Sequence, residues 1–127
     1  MRARIKNARG WHVSDIRHIH KLDGDWSTVG LESPFFDAQR KAFYEGDVVE
    51  VDGRCYEVEF DPIFGFVPFV GFMDRMLFGN DLDPQLDFVI NLGNKHDNPN
   101  LMLKRSLELE EVSKYRVDGK DILDDLM

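Results

Sequence analysis

The sequence predicts a mainly β fold, and three observations favour it. Ten glycines separate short runs in which apolar and polar residues alternate, as in strands that place one face on a core. Helical periodicity is scarce along the chain. Asp52-Gly53 lies between two alternating runs, and this dipeptide is favoured in two-residue hairpin turns because both positions accept positive φ. With 127 residues, we expect a single domain over residues 1–127.

The N-terminal part, residues 1–31, is predicted to contain strands. RARIKNA forms the first, and WHVSDIRHIH is predicted as a strand with a bulge or a bend because two isoleucines break its alternation. Asp23-Gly24 marks a turn before a short strand that ends at residue 31. Ser33-Pro34 then suits an N-cap and a first helical position, so a helical turn or an ordered loop follows.

A central hairpin is predicted over residues 43–61. On its return strand Tyr56, Val58 and Phe60 alternate with glutamates, which predicts one face on a core and one in water. The next segment, residues 64–84, is rich in Phe and Met, and we call it the aromatic excursion. Pro68 excludes a simple central strand there.

The C-terminal region, residues 86–127, is predicted to begin with the strand LDFVINL. A polar turn then enters a short helix, with Asn98 as the cap and Pro99 at the first helical position. SLELEEVSKYRV fits either a strand or a helix, and GKDILDDLM fits a final helical turn that docks on a neighbouring subunit or frays.

The charge is negative and unevenly distributed, which bears on the class of partner. The net charge is −8, with +4 in residues 1–24 and −12 in residues 25–127. An acidic body repels nucleic acid, because phosphate contacts supply most non-specific affinity, so nucleic acid is not the expected partner. A protein with a basic surface is the electrostatic converse, although negative charge also serves solubility alone.

Composition also bounds the compartment. Cys55 is the only cysteine, which excludes an internal disulfide and a cysteine-based zinc site. No apolar run approaches the roughly 20 residues of a membrane span, and no apolar stretch follows the basic N-terminus as in a secretory signal. We therefore expect a cytoplasmic protein without a membrane partner.

Two stretches resemble the YopX family of small phage and prophage proteins. VGLES followed by DAQRKAFYEGDVVEV is similar to the family pattern TGL-x-D-x-x-G-x-x-IYEGDIV, and LGNKHDNPNLM is similar to IGNIHENPELL. The likeness covers roughly residues 28–60 and 88–103. Two departures stand out: four extra residues lie between Leu31 and Asp37, and Arg40 stands where the family usually has a turn glycine.

The resemblance implies origin and architecture rather than activity. It implies a small SH3-like β-barrel or roll with short helical additions, encoded by a phage or prophage. The family brings no established activity and no agreed catalytic residues. The Glu45-Gly46-Asp47 stretch then serves as scaffold, since Gly46 permits close backbone approach and Asp47 can bond the turn backbone.

The sequence contains only weak signals for catalytic, metal-binding or nucleotide-binding residues. His18 and His20 would share one face of a strand and, with His12 and a nearby aspartate, could form a zinc-binding site. The favoured interpretation is that they are ordinary, partly exposed histidines. His96-Asp97 suits a general base, but its place in GNKHDNP favours a turn. The spaced aspartates of NDLDPQLD lack the calcium-loop pattern, and no nucleotide-binding glycine motif occurs. We expect no cofactor.

Surfaces are the remaining candidates. Carboxylates spaced along a barrel can imitate a phosphate backbone, and Arg, Met and aromatic residues are enriched at interfaces. The residues predicted to bind a protein partner are Glu50, Glu57, Glu59, Phe69, Phe72, Arg75, Met76, Asp81 and Asp83. A core or a lid is the favoured interpretation of the aromatic excursion; the alternative is an exposed apolar patch for partner binding or self-association, with Phe72 as the homo-oligomer contact.

Three functional hypotheses follow. The first is a non-enzymatic binding module that contacts a host protein as an accessory, host-takeover or anti-defence factor of the anti-CRISPR kind. The alternative is a nucleic-acid or nucleotide-binding small β-barrel that uses the basic N-terminus. The third is an enzyme that uses His96 or the group His12, His18 and His20. Because fold alone does not determine function, the charge and the surfaces favour the first.

Overall fold

The computed structural model of the chain describes residues 1–79 and 81–111. Short strands dominate this part, with two 3-10 helices over Ile19–Lys21 and Phe69–Phe72, one helical turn, α1 (Met73–Met76), and a helix over residues 101–111. The strands are β1 (Arg2–Asn7), β2 (Gly10–Asp15), β3 (Asp25–Phe36), β4 (Ala42–Tyr44), β5 (Asp47–Val51), β6 (Arg54–Glu57), β7 (Glu59–Asp61), β8 (Gly65–Val67), β9 (Leu77–Phe78), β10 (Asp81–Leu82) and β11 (Ile90–Asn94).

The strands pair in small antiparallel sheets, which confirms the mainly β prediction. The four-stranded sheet has the order β2-β1-β3-β4, and the three-stranded sheet has the order β11-β5-β6. Two hairpins, β7-β8 and β9-β10, pair separately. Within the described residues these sheets do not close into one barrel.

The predicted central hairpin is present between β5 and β6. Asp52 and Gly53 both adopt positive φ, 51° and 79°, as a two-residue turn of this kind requires. The return strand is interrupted at Val58, whose N–H donates to the Asp47 carbonyl and whose carbonyl accepts from Gly46 N–H. This interruption separates β6 from β7, so Glu59 belongs to a different hairpin from Glu57.

The core lies where these small sheets face one another. β5 is central in its sheet and is buried on both faces, so Val48 is buried as well as Val49 and Val51, although alternation predicts that Val48 faces the other way. The larger buried cluster comprises Phe35, Phe43, Val49, Val51, Val58, Phe66, Phe69, Met76, Leu86 and Val89. A smaller one is formed by Ala3, Ile5 and Ile19.

Two local predictions are wrong in the N-terminal part. Ser33-Pro34 begins no helical turn but continues β3, where the Ser33 hydroxyl accepts from Phe35 N–H. Pro34 is tolerated because the register between β3 and β4 shifts there, so its missing N–H removes no ladder bond. His18 and His20 lie in a turn and a 3-10 helix instead of a strand.

The turn before β4 keeps a left-handed residue without glycine. Arg40 has φ +63°, and the Asp37 carboxylate accepts the N–H groups of Gln39 and Lys41. A carboxylate at the turn entrance therefore supports a conformation in which a glycine is ordinarily preferred. In the C-terminal region, residues 101–111 are helical, which decides the strand-or-helix alternative for that part. GKDILDDLM lies outside the described residues.

Candidate protein-binding site

Residues 44–47 and 94–97 meet around Arg4 and its neighbour Trp11, although they follow Arg4 by about 40 and 90 residues. Arg4 Nη2 donates to Asp47 Oδ1 at 2.6 Å, and the two side chains are only 10% and 3% exposed. The guanidinium carbon lies 4.5 Å from the Trp11 ring centroid and 4.8 Å from that of Tyr44. Arg4 is thus held between two aromatic rings above a buried carboxylate.

Backbone contacts join the same two stretches directly. The Gly46 carbonyl accepts from Lys95 N–H at 2.9 Å, and a Cβ on Gly46 would lie 3.2 Å from His96 Nε2. A Cβ on Gly30 would clash with the Glu45 carbonyl oxygen. Gly30 and Gly46 therefore allow close approach of backbone segments, in accord with a scaffold role for the Glu45-Gly46-Asp47 stretch.

The His96-Asp97 pair belongs to a tight turn. Asn94 Oδ1 accepts the N–H groups of His96 and Asp97. One Asp97 oxygen accepts from Lys6, and the other accepts from Trp11 Nε1 at 3.0 Å and Asn94 Nδ2 at 2.9 Å. These donors lower the pKa of Asp97, so its carboxylate serves to tie the turn to β1 and β2.

Asp97 predicts a specific pH dependence. Because its folded-state pKa is depressed, the unfolded chain binds the proton more tightly, and stability is lost as pH falls below the unfolded-state pKa. We expect Asp97→Asn to be less stable than the wild type at pH 7 but to lose less stability between pH 7 and pH 3. Urea midpoints at both pH values measure this, with Asp74→Asn at an exposed residue of α1 as the control. If Asp97→Asn lost as much stability between pH 7 and pH 3 as the wild type, the assigned role of the Asp97 carboxylate would be contradicted.

An open cleft of about 320 Å³ lies beside Gly46 and His96. Its lining includes Glu57 and Glu59 from either side of the strand interruption, with Phe60 beside them. Lys95 and His96 line it from the neighbouring turn. Burial lowers the pKa of His96, and the Lys95 and Arg4 cations add to this effect, so the imidazole is a neutral group at the cleft wall near pH 7.

The negative charge of the cleft is concentrated on two glutamates. A third lining residue, Glu45, has a structural role, since its oxygens accept from Leu31 N–H at 3.0 Å and Phe60 N–H at 3.3 Å. Glu57 pairs with Lys95 at 3.3 Å. The adjacent Glu57 carboxyl raises the pKa of Glu59. One lysine therefore faces two carboxyl groups.

The other predicted acidic residues lie elsewhere. Glu50 accepts from Arg105 at 3.1 Å, which ties β5 to the 101–111 helix. Asp81 and Asp83 are exposed, in and just after β10. None of the three lines the cleft, so the predicted carboxylates do not form one group there.

The aromatic excursion divides between core and surface. Phe69 and Met76 are 0% and 2% exposed, so their prediction as partner-binding residues is corrected: they pack in the core. Phe72 is half-buried between the rings of Tyr56 and Phe88. The homo-oligomer contact through Phe72 stays a prediction.

Arg75 remains at the surface of the excursion. Its guanidinium carbon lies 4.1 Å from the Phe88 ring centroid, and it pairs with Asp52 of the central turn. Its cation is thus already engaged, and the side chain covers an aromatic ring.

Among the residues that the structure describes, one strongly exposed apolar pair was not singled out from the sequence. Ile63 and Phe64 form the tip of the β7-β8 hairpin and are 84% and 70% exposed. The signal was present: Asp61-Pro62 before the pair and Gly65 after it are turn residues, and a turn between short strands leaves its central side chains in water.

The N-terminal histidines do not converge on a metal site. His12 Nε2 lies 3.0 Å from Asn7 Oδ1, while His18 and His20 are exposed at the other end of β2. Among the residues that the structure describes, no group of three or more His, Cys, Asp or Glu side chains is placed to hold a metal ion.

Comparisons with protein-family models, with curated proteins and with solved structures find no match to this chain. Across residues 1–79 and 81–111, no helix has the length and apolar character needed to cross a membrane.

Proposed function

We propose that the chain is a phage- or prophage-encoded, non-enzymatic binding module that contacts a host protein in the cytoplasm of the host cell. Its role is that of an accessory, host-takeover or anti-defence factor, such as an inhibitor of the anti-CRISPR kind, carried on an SH3-like roll. The likeness to the YopX family supports the origin and the roll. Charge and surface geometry support protein binding.

The observation that carries the proposal is the Glu57-Glu59 pair in the open cleft. The neighbouring Glu57 carboxyl raises the pKa of the Glu59 carboxyl, because nearby negative charge disfavours its ionisation. A lysine or arginine side chain from a partner would stabilise both ionised forms. The cleft therefore suits a basic group of a protein partner, in keeping with the net charge of −12 over residues 25–127.

The internal ion pairs disfavour the nucleic-acid alternative. The basic residues of β1 pair with carboxylates of the same chain. Arg2 lies 3.9 Å from Glu32, Arg4 pairs with Asp47, and Lys6 donates to Asp97. Nucleic-acid affinity depends on cations that neutralise phosphates, and these cations are already engaged. An imitation of nucleic acid by the acidic face, by contrast, is compatible with the proposal.

Charge reversal at the cleft tests the proposal. We expect immobilised wild-type protein to retain one stoichiometric protein with a basic surface from host lysate, and Glu59→Lys to retain at least about tenfold less, as expected from loss of a central charge contact. Glu110→Lys is the matched control, because it makes the same substitution at an exposed residue of the 101–111 helix, outside the cleft.

The possible outcomes distinguish a contact through the cleft from a net-charge effect and from the nucleic-acid alternative. Equal retention by the wild type and Glu59→Lys would remove the cleft as the contact. Equal loss in Glu59→Lys and Glu110→Lys would indicate a response to net charge alone. If the wild type retains no protein, the binding-module proposal fails, and gel shifts with single- and double-stranded DNA and RNA would test the alternative.

A further inference from the structure

We infer that Ile63 and Phe64, at the tip of the β7-β8 hairpin, anchor the protein in an apolar pocket of its partner, and that the rim of this pocket is basic. The inference rests on the proposed function and extends it, because it names a second contact and the chemistry of the surface that receives it. The occupant is a different protein, rather than a second copy of this chain or a lipid surface.

The tip is held in place before any partner binds. Asp61 Oδ1 accepts from Ile63 N–H at 2.8 Å and Phe64 N–H at 3.1 Å, and Gly65 closes the turn with φ +95°. At the base, the rings of Phe60 and Phe66 lie 5.0 Å apart, and Phe66 belongs to the core. A preorganised turn loses little conformational entropy on binding.

Folding does not account for apolar side chains at this position. Phe66, two residues after Phe64, is buried, whereas the two tip residues are mostly in water. Two adjacent, projecting apolar side chains on a turn whose backbone is held by hydrogen bonds have the geometry of an interface anchor, which fills a pocket on the partner. Val67, on the returning strand, is a further partly exposed apolar residue of this hairpin, at 37%.

Charges around the tip select the partner. Glu59 lies opposite Val67 in the β7-β8 pair, and Asp61 lies opposite Gly65 at the turn, so the hairpin carries carboxylates beside its apolar tip. Complementary charges on the receiving surface are therefore lysine or arginine. A second copy would bring the same carboxylates and another net charge of −8, and an anionic membrane would repel them.

Site-specific photocrosslinking tests the anchor. Benzoylphenylalanine replaces Phe64 in one sample and Trp26, an exposed aromatic residue of β3, in the control. Both are illuminated in host lysate, and the crosslinked peptide is identified. We expect a crosslink from position 64 to one protein, at an apolar segment flanked by lysine or arginine, that excess wild-type protein suppresses and excess Ile63→Ser/Phe64→Ser does not.

Affinity for that purified partner completes the test. Loss of two anchor side chains should weaken binding by at least about tenfold in Ile63→Ser/Phe64→Ser. Leu103→Ser/Leu107→Ser, which makes the same kind of change at two exposed positions of the 101–111 helix, should bind as the wild type does.

Failure of the anchor is distinguishable from failure of the proposed function. If Glu59→Lys weakens binding and Ile63→Ser/Phe64→Ser does not, the anchor is overturned while the binding module stands. A crosslink between two copies, or co-sedimentation with phosphatidylglycerol vesicles that depends on Ile63 and Phe64, overturns the assigned partner. A position 64 that crosslinks no more than position 26 overturns the anchor as well.

Discussion

Arg4→Met is expected to lower the free energy of unfolding by about 3–5 kcal/mol, the range for breaking one side of a buried ion pair. Asp47 would keep its bond from Tyr44 N–H at 2.8 Å, but its buried charge would lose its cation. Burial already raises the pKa of Asp47, against the lowering effect of Arg4. Without Arg4 that carboxyl would be protonated more readily, and the contacts of the guanidinium with Trp11 and Tyr44 would also be lost.

Arg2→Met is the matched control, because it removes the same charge from the same strand. Its pair with Glu32 is long and its side chain is 59% exposed, so the expected cost is no more than about 1 kcal/mol. Urea unfolding at pH 7 measures both variants. The Arg4→Met/Asp47→Asn double variant should recover part of the loss, since it buries no charge. Similar costs for Arg2→Met and Arg4→Met would contradict the central role of Arg4.

Phe69→Ala is expected to cost about 3–5 kcal/mol of unfolding free energy, because it removes a fully buried ring and leaves a cavity. The Phe69 ring centroid lies 5.3 Å from that of Phe35 and 5.1 Å from that of Phe43, so two neighbouring aromatic side chains lose contacts with it. The substitution therefore also distinguishes a core residue from the partner-binding residue that the sequence predicts.

The control for Phe69→Ala is Met73→Ala, four residues further along the same excursion. Met73 is 42% exposed, so its truncation should change stability by no more than about 0.5 kcal/mol, as for surface substitutions. Midpoints of urea and thermal unfolding compare the two variants. A Phe69→Ala protein as stable as Met73→Ala would show that Phe69 is not a core residue.

Local rules predict the elements whose determinants are adjacent in sequence. The β5-β6 hairpin follows from Asp52-Gly53 and the alternating runs around it, since turn geometry and side-chain period are local properties. The same rules fail for Ser33-Pro34, where pairing of β3 with β1 and β4 overrides a local helical preference. They fail again for His18 and His20, where the chain turns before β3.

The candidate site depends much less on local pattern. Glu57 and Glu59 are recognisable as water-facing residues of one alternating run, but their cleft also needs Lys95 and His96 from a turn almost 40 residues later. Phe69, Phe72 and Met76 look alike in sequence, yet packing buries two and leaves the third partly exposed. The Ile63-Phe64 tip is apolar by composition, and only its place at a hairpin end makes it a surface.

The sequence by itself determined the mainly β class, the acidic charge and the central turn, because these depend on composition, period and the φ preferences of single residues. The tertiary structure decided which residues share a site. Arg4 pairs with Asp47, Lys6 with Asp97, and Lys95 with Glu57 only after distant strands have paired. Such contacts depend on burial and on the register between strands, and neither is a property of any short stretch of the chain.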